Sequence, residues 1–279
     1  MIPLKTLVLN KDSLAEGLQH NAVLHISYKC YTSMDIALCF LLDGFLLLTD
    51  GKGWNDRPDG NQMRGKKSFG KSFSFSTREN VAMWMLYGAN RGKNGVAINF
   101  TRSHIQDVLK SDSVDVVHVI PGEEIRVLKT LKKGVDYNIY CTDVLYAEQV
   151  RFKGTEEVGF RITYREEHET VGKDLIEDDR IITKSYEWKY ENECRLIVNL
   201  TDSGDRIFEG ERKRLEEEKN QRDEKQDRSS EKKDFLAIRL FVPGYRKLNA
   251  DSIIRSPVYN GKAIFGKKSA LFGTVNWDL

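Results

Sequence analysis

Long hydrophobic runs are missing from this sequence. The longest, Ile36 to Leu48, is thirteen residues and holds Asp43 and Gly44, too short and too polar to span the hydrocarbon of a bilayer. No membrane partner is therefore expected. Charge of one sign is also lacking: 44 Lys+Arg stand against 42 Asp+Glu, a formal net charge of +2, so nucleic acid can be touched only locally and not coated. Cysteine is scarce, with four residues at 30, 39, 141 and 194 and no CxxC pair, which excludes a disulfide scaffold and points to reduced thiols in a cytoplasm. Neither a GxGxxG nor a GxxxxGK[ST] loop is present; the stretch GKKSFGKS at 65–72 has the glycines and lysines in the wrong order to cradle a phosphate. After Met1 to Leu9, Asn10, Lys11 and Asp12 stand where a cleavage site would need small residues, so the opening reads as an ordinary first strand.

What is present suffices for a core: 279 residues, 40% hydrophobic and 10% aromatic, are read as one domain over 1–279. Short helices alternate with short strands, many with breakers at both ends. This predicts an α+β fold with mixed, mainly antiparallel central sheets flanked by short helices. Thr32 or Ser33 can cap a helix through Ile36, Ala37, Phe40 and Leu41, which Gly44 ends before a strand over Phe45 to Thr49. Phe73 and Phe75 alternate with Ser72, Ser74 and Ser76 as a strand; Ser76 with Glu79 forms a capping box for a helix bearing Val81, Trp84 and Met85. Gly95 opens a strand through Val96, Ile98 and Phe100, a weaker helix follows from Ser103 to Leu109, and strand-like segments recur near 116–120, 139–146, 194–200, 236–242 and 253–258. One segment stands apart: from Glu209 to Asp234, 19 of 26 residues are charged. It cannot bury a face, and i,i+4 pairs such as Glu218 with Arg222 suit a solvated helical or disordered insertion.

Chemistry has four candidate places. Asn55, Asp56, Arg57, Pro58 and Asp59 form a carboxylate-bearing turn directly after a strand, where side chains meet ligands. In the run Lys184 to Arg195, an extended chain would put Lys189, Glu191, Glu193 and Arg195 on one face, two carboxylates about 7 Å apart with cations beside them. Such a pair can stabilise a cationic sugar carbon or hold a divalent metal, or it can be a solvated sheet face laced with ion pairs. His25 lies in the strand-like run Val23 to Tyr28. The basic stretch Arg64, Lys66, Lys67 and Lys71, interleaved with Phe69 and Phe73, can grip a phosphate backbone or remain a solvated loop.

Several motifs recur together and in order: Tyr31-Thr32-Ser33, Asn55-Asp56-x-Pro58-Asp59, Phe75-Ser76 leading into Trp84-x-x-Tyr87, Gly95-Val96-Ala97-Ile98-x-Phe100, Val144-x-Tyr146, Lys184-x-x-x-Trp188-x-Tyr190-Glu191-x-Glu193-x-Arg195, and Ile253-Ile254-x-x-Pro257. Over roughly residues 24–260 the chain thereby resembles the bacterial family called domain of unknown function 2971, departing from it at Arg57, at His25 and in the charged insertion. More distantly it is similar to the ADP-ribosyltransferase fold, with His25, Ser74-Phe75-Ser76 and Glu193 in the order of that fold's early histidine, middle strand and late glutamate. That similarity implies NAD as substrate, a protein or nucleic-acid acceptor, and a bacterial toxin or anti-phage effector with a possible antitoxin or regulatory partner. Glu193 and Glu191 would be catalytic. His25, Tyr28, Ser74, Ser76, Trp84 and Tyr87 would bind the dinucleotide; Asn55, Asp56, Lys184 and Arg195 would contact substrate, and no resident metal is implied. Two other readings stay open from the residues: a metal-dependent nuclease using Asp56, Asp59, Glu191 and Glu193 with Lys184, or a non-catalytic binding or sensor module in which the charged insertion recruits a partner.

Overall fold

The computed structural model describes residues 1–33, 37, 40, 43–51, 61, 63–65, 67–77, 80–88, 95–120, 125–151, 158–175, 182–223, 234–243 and 253–256. In chain order the elements are α1 (Leu4–Leu7), α2 (Lys11–Ala22), β1 (Ser27–Ser33), β2 (Phe45–Leu48), β3 (Ser68–Ser74), α3 (Val81–Tyr87), β4 (Gly95–Thr101) and α4 (Arg102–Leu109). There follow β5 (Ser113–Val119), β6 (Arg126–Lys132), β7 (Tyr137–Asp143), β8 (Leu145–Arg151), β9 (Val158–Tyr164), β10 (Glu167–Gly172) and β11 (Thr183–Ser185). The last are β12 (Glu193–Leu200), α5 (Asp202–Asp223), β13 (Phe235–Phe241) and β14 (Ile253–Arg255). They build an α+β fold of three sheets, ordered β14-β4-β1-β3-β12-β7, β10-β9-β8-β11 and β2-β13-β5-β6. Pairing between these strands is antiparallel except for β11 beside β8.

β12 shows how the layers are joined. Its alternate residues Cys194, Leu196, Val198 and Leu200 enter a large core shared with β2, β5 and β13, while Ile197 enters a second core with Leu145, Ile162 and the α1–α2 leucines. Alternation along one strand thus serves two neighbouring layers. α3 lies on the β1–β4 half of the six-stranded sheet and buries Met83 and Trp84 against Tyr31 and Ala97.

Local differences from the sequence reading have identifiable causes. Residues 1–9 are not a strand: Leu4 and Leu7 sit one helical turn apart, both fully buried, after Pro3. Asn10 then caps α2 through the Ser13 amide (2.8 Å), a helix whose buried Leu14, Leu18, Asn21 and Ala22 follow helical spacing. Thr32 and Ser33 both lie in β1, and residues 34–36, where the following helix would be capped, lie outside the described residues; Ala37, Phe40 and Asp43 are helical, and Gly44, at φ 70°, ends that turn with its N–H on the Phe40 carbonyl (2.7 Å). The cap of α3 is Asn80, whose side chain accepts from the Ala82 amide (2.9 Å), so the helix starts four residues beyond the Ser76 box. The 139–146 segment divides at Val144, because the chain there passes from the six-stranded sheet to the next. The charged segment begins as α5, which starts at Asp202 and is anchored by Phe208 against Phe69; residues 224–233 lie outside the described residues.

Candidate functional site

β1 and β3 are neighbours in the six-stranded sheet but share one paired position, Lys29 with Ser74. β1 is fully paired with β4 on its other edge and β3 with β12 on its own, while Gly70 of β3 is bridged to Thr49 beyond β2. The sheet therefore splits past Lys29, and a cavity of about 360 Å³ occupies the split, within the size range of small-ligand sites. Lys29 and Tyr31 come from β1; Lys71, Ser72 and Ser74 from β3; Met83, Leu86 and Tyr87 from α3. Lys184, Glu191 and Glu193 complete the wall.

The chain around the glutamates is not one extended strand. Thr183–Ser185 form β11, Tyr186–Glu191 wind into a 3-10 helix, and Asn192 takes a left-handed conformation (φ 44°) before β12 begins. Asparagine tolerates that conformation better than most residues. The turn brings Glu191 and Glu193 onto one wall even though only the second lies in a strand. Both are buried, with 2% and 4% exposure, which excludes the solvated-face alternative.

Glu193 accepts from the Ser72 hydroxyl (2.5 Å) and Arg195 Nε (2.7 Å) on Oε1, and from Arg195 Nη2 (3.2 Å) and Lys184 Nζ (3.2 Å) on Oε2. Burial opposes its charge, but Arg195, Lys184 and these hydrogen bonds prevail and hold the carboxyl well below the usual carboxylate range. Glu191 accepts from Lys184 Nζ (2.5 Å) and from the Tyr87 hydroxyl (2.5 Å), while its carbonyl accepts from Ser74 Oγ (2.6 Å). Burial and the adjacent Glu193 charge push its carboxyl up to about 7, against the opposing pull of Lys184 and Tyr87. Lys184 is disfavoured as a cation by burial, yet the two carboxylates raise it above its ordinary value. The pair thus presents one permanently ionised carboxylate and one that changes charge near neutrality, the separation that general acid–base sites require.

The structure brings together only part of the residue set expected from sequence. Ser74, Tyr87, Lys184, Glu191 and Glu193 line the cavity. Arg195 is fully buried behind Glu193 and serves that carboxylate. Trp84 is buried against Tyr31, so it packs the wall without lining it. Tyr28 points into the large core and donates to the Ala22 carbonyl (2.7 Å), and Ser76 lies beyond the end of β3. Asn55 and Asp56, with Arg57 and Asp59, lie outside the described residues.

His25 is elsewhere. Its ring stacks on Phe75 (4.0 Å between centroids) and its Nε2 meets Asp143 Oδ1 at 2.6 Å. Cys194 Sγ lies within 4.8 Å of both groups. A His, Asp and Cys so close suggest a metal centre, but the hydrogen bonds oppose it. Arg165 Nη2 can only donate, so His25 Nδ1 accepts from it (3.1 Å) and the ring proton resides on Nε2, given to Asp143. No imidazole lone pair remains for a metal. Burial, with Cys141 beside it, keeps the Cys194 thiol protonated. Because successive strand residues face opposite ways, Cys194 and Glu193 point to opposite faces of β12, and His25 stands on the Cys194 side.

Sequence reasoning missed Lys29 and Tyr31. The signal was available, since residues 27, 29 and 31 share a face in a strand whose other face, Tyr28 and Cys30, is core. Lys71 and Phe73 of the basic stretch do line the cavity, whereas Lys67 is spent on Asp202 and Asp205 of α5.

Residues 83–196 match the family model described as Protein of unknown function (DUF2971). The match supports the resemblance carried by the motifs. The DUF2971 span contains most of α3 and both glutamates with Lys184 and Arg195, while Lys29 and the β3 serines precede it. No curated protein and no solved structure matches the chain. Among the described residues, no helix is long and apolar enough to cross a membrane.

Proposed function

We propose that this protein is an ADP-ribosyltransferase-like enzyme that takes NAD into the split between β1 and β3 and transfers its ADP-ribose to a protein or nucleic-acid acceptor. The observation that carries this reading is the pair Glu191 and Glu193, both buried on one cavity wall and both in contact with the Lys184 ammonium. Lys29 and Lys71 bring positive charge to the cavity lining, which suits a pyrophosphate, and Tyr31 and Tyr87 are aromatic residues of the same lining. The bond from the ribose carbon to nicotinamide breaks with its electron pair leaving on nicotinamide. The fixed charge of Glu193 favours the cationic carbon, and an acceptor heteroatom bonds to that carbon as its proton passes to Glu191. His25, which the resemblance would put on the dinucleotide, stands on the other face of β12 and lends this reading no support; from the first strand it is Lys29 that lines the cavity. The nuclease reading draws less from the site, because two of the four carboxylates it uses, Asp56 and Asp59, lie outside the described residues.

Nicotinamide release from millimolar NAD tests the proposal. The purified protein should release it at a rate that rises with pH through about 7 when an acceptor is supplied, and Glu193→Gln should abolish release. Absence of both NAD binding by calorimetry and nicotinamide release would overturn it.

A further inference from the structure

Lys184 reaches the carboxylates from a different sheet. β11 is a three-residue strand whose register sets Lys184 beside Tyr146 of β8, and the Leu145 amide donates to the Ile182 carbonyl (2.8 Å) to fix its start. From there the side chain, 5% exposed, crosses to the six-stranded sheet. Its ammonium lies 2.5 Å from Glu191 Oε2 and 3.2 Å from Glu193 Oε2, with the Trp188 ring 4.7 Å away on another side. An ammonium so enclosed gives two of its three donors to the protein's own carboxylates. It is poorly placed to grip a substrate, and well placed to hold two like charges together.

We propose that Lys184 is the positioning residue of this site: bridging Glu191 and Glu193 from the neighbouring sheet, it keeps the two carboxylates at one point of the cavity wall and sets the pH at which Glu191 changes charge. The inference builds on the carboxylate pair of the proposed enzyme and adds the group that governs it. The other groups facing Glu191 act in known senses. Tyr87 of α3 donates to it, Ser74 of β3 holds its carbonyl, and Glu193 repels its charge; Tyr190 adjoins it, and Tyr146 is close enough for its own ionisation to be opposed by Glu191. Arg195 is engaged by Glu193, and Lys29 and Lys71 are further cations of the cavity lining. Lys184 is the cation in direct contact with both carboxylates.

Carboxyl-labelled glutamate followed by NMR across pH reads this without turnover, so its outcome is separable from whether NAD is consumed. With the ammonium replaced by a neutral amide in Lys184→Gln, the Glu191 carboxyl should titrate at least about one pH unit higher, because an adjacent opposite charge is what favours its ionised form. Lys184→Arg, which keeps the charge, should restore a midpoint near that of the unaltered protein. In the unaltered protein the Lys184 Nζ resonance should inflect at the same pH as the Glu191 carboxyl, a measurement that stands even if the glutamine variant does not fold. An unmoved Glu191 midpoint in folded Lys184→Gln, or an Nζ resonance indifferent to Glu191, would overturn the proposal. If the enzyme reading holds, the acid limb of the rate profile should move with the same variants, altering kcat more than KM.

Discussion

Glu191 and Glu193 sit two residues apart and make opposite contributions to stability as pH changes. The folded chain holds the Glu191 proton up to about 7, whereas an unperturbed glutamate releases it near 4.5. Between those values the folded state binds the extra proton, so the stability that Glu191 contributes is complete below 4.5 and is lost as pH rises to 7. Glu193 is held below its ordinary value, so its contribution is present above that value and lost as pH falls through the folded one. Glu191→Gln keeps a group that can accept from Tyr87 and removes the titration. Urea unfolding from pH 4.5 to 7.5 should show a flatter profile for the variant, the difference across the window being on the order of a few kcal/mol. Parallel profiles for the two proteins would show that Glu191 is not proton-bound in the folded chain.

At the scale of elements, α5 tests whether a helix made mostly of charge is docked or merely solvated. Its second half is laced with surface pairs such as Glu211 with Arg214 and Arg126 with Glu218, each worth at most about 1 kcal/mol. Its first turns are different. A Cβ on Gly204 would lie 2.0 Å from the Asp136 carbonyl oxygen, whereas nothing lies within 4 Å of the corresponding position at Gly210. Glycine to alanine inside a helix ordinarily stabilises by about 0.5–1 kcal/mol. Thermal melts should show that gain for Gly210→Ala and the reverse for Gly204→Ala, a loss of about 1–3 kcal/mol as backbone is forced apart. Equal effects would mean that α5 is not seated on the Asp136 turn. This docking was not legible beforehand: the anchor is a glycine, which carries no pattern, and Phe208 lies just ahead of the charged run that dominated the reading.

The whole molecule is coupled through β12, since Leu196 and Ile197 are adjacent yet belong to different cores. Losing either core strands one face of the same strand in water. Calorimetric unfolding should therefore be a single transition with a van't Hoff to calorimetric enthalpy ratio near one; a separate early transition from the β8–β11 sheet would show that it folds by itself. Strands with clear alternation, such as Gly95–Thr101 and Glu193–Leu200, were readable because period two is a local property. The carboxylate pair was readable as composition, but its burial was not, because Ser72, Tyr87 and Lys184 reach it from three other elements. His25 was misplaced for the same reason: its partner Asp143 stands 118 residues away, and nothing in the run Val23 to Tyr28 names it.

The single paired position of β1 and β3, Lys29 with Ser74, has one more consequence. Two strands that elsewhere would be stitched rung by rung face each other here across a vacancy, each fastened firmly on its outer flank. A ligand taken into that opening, as the proposed function requires, would stand where further rungs would otherwise be, and would join the two halves of the sheet.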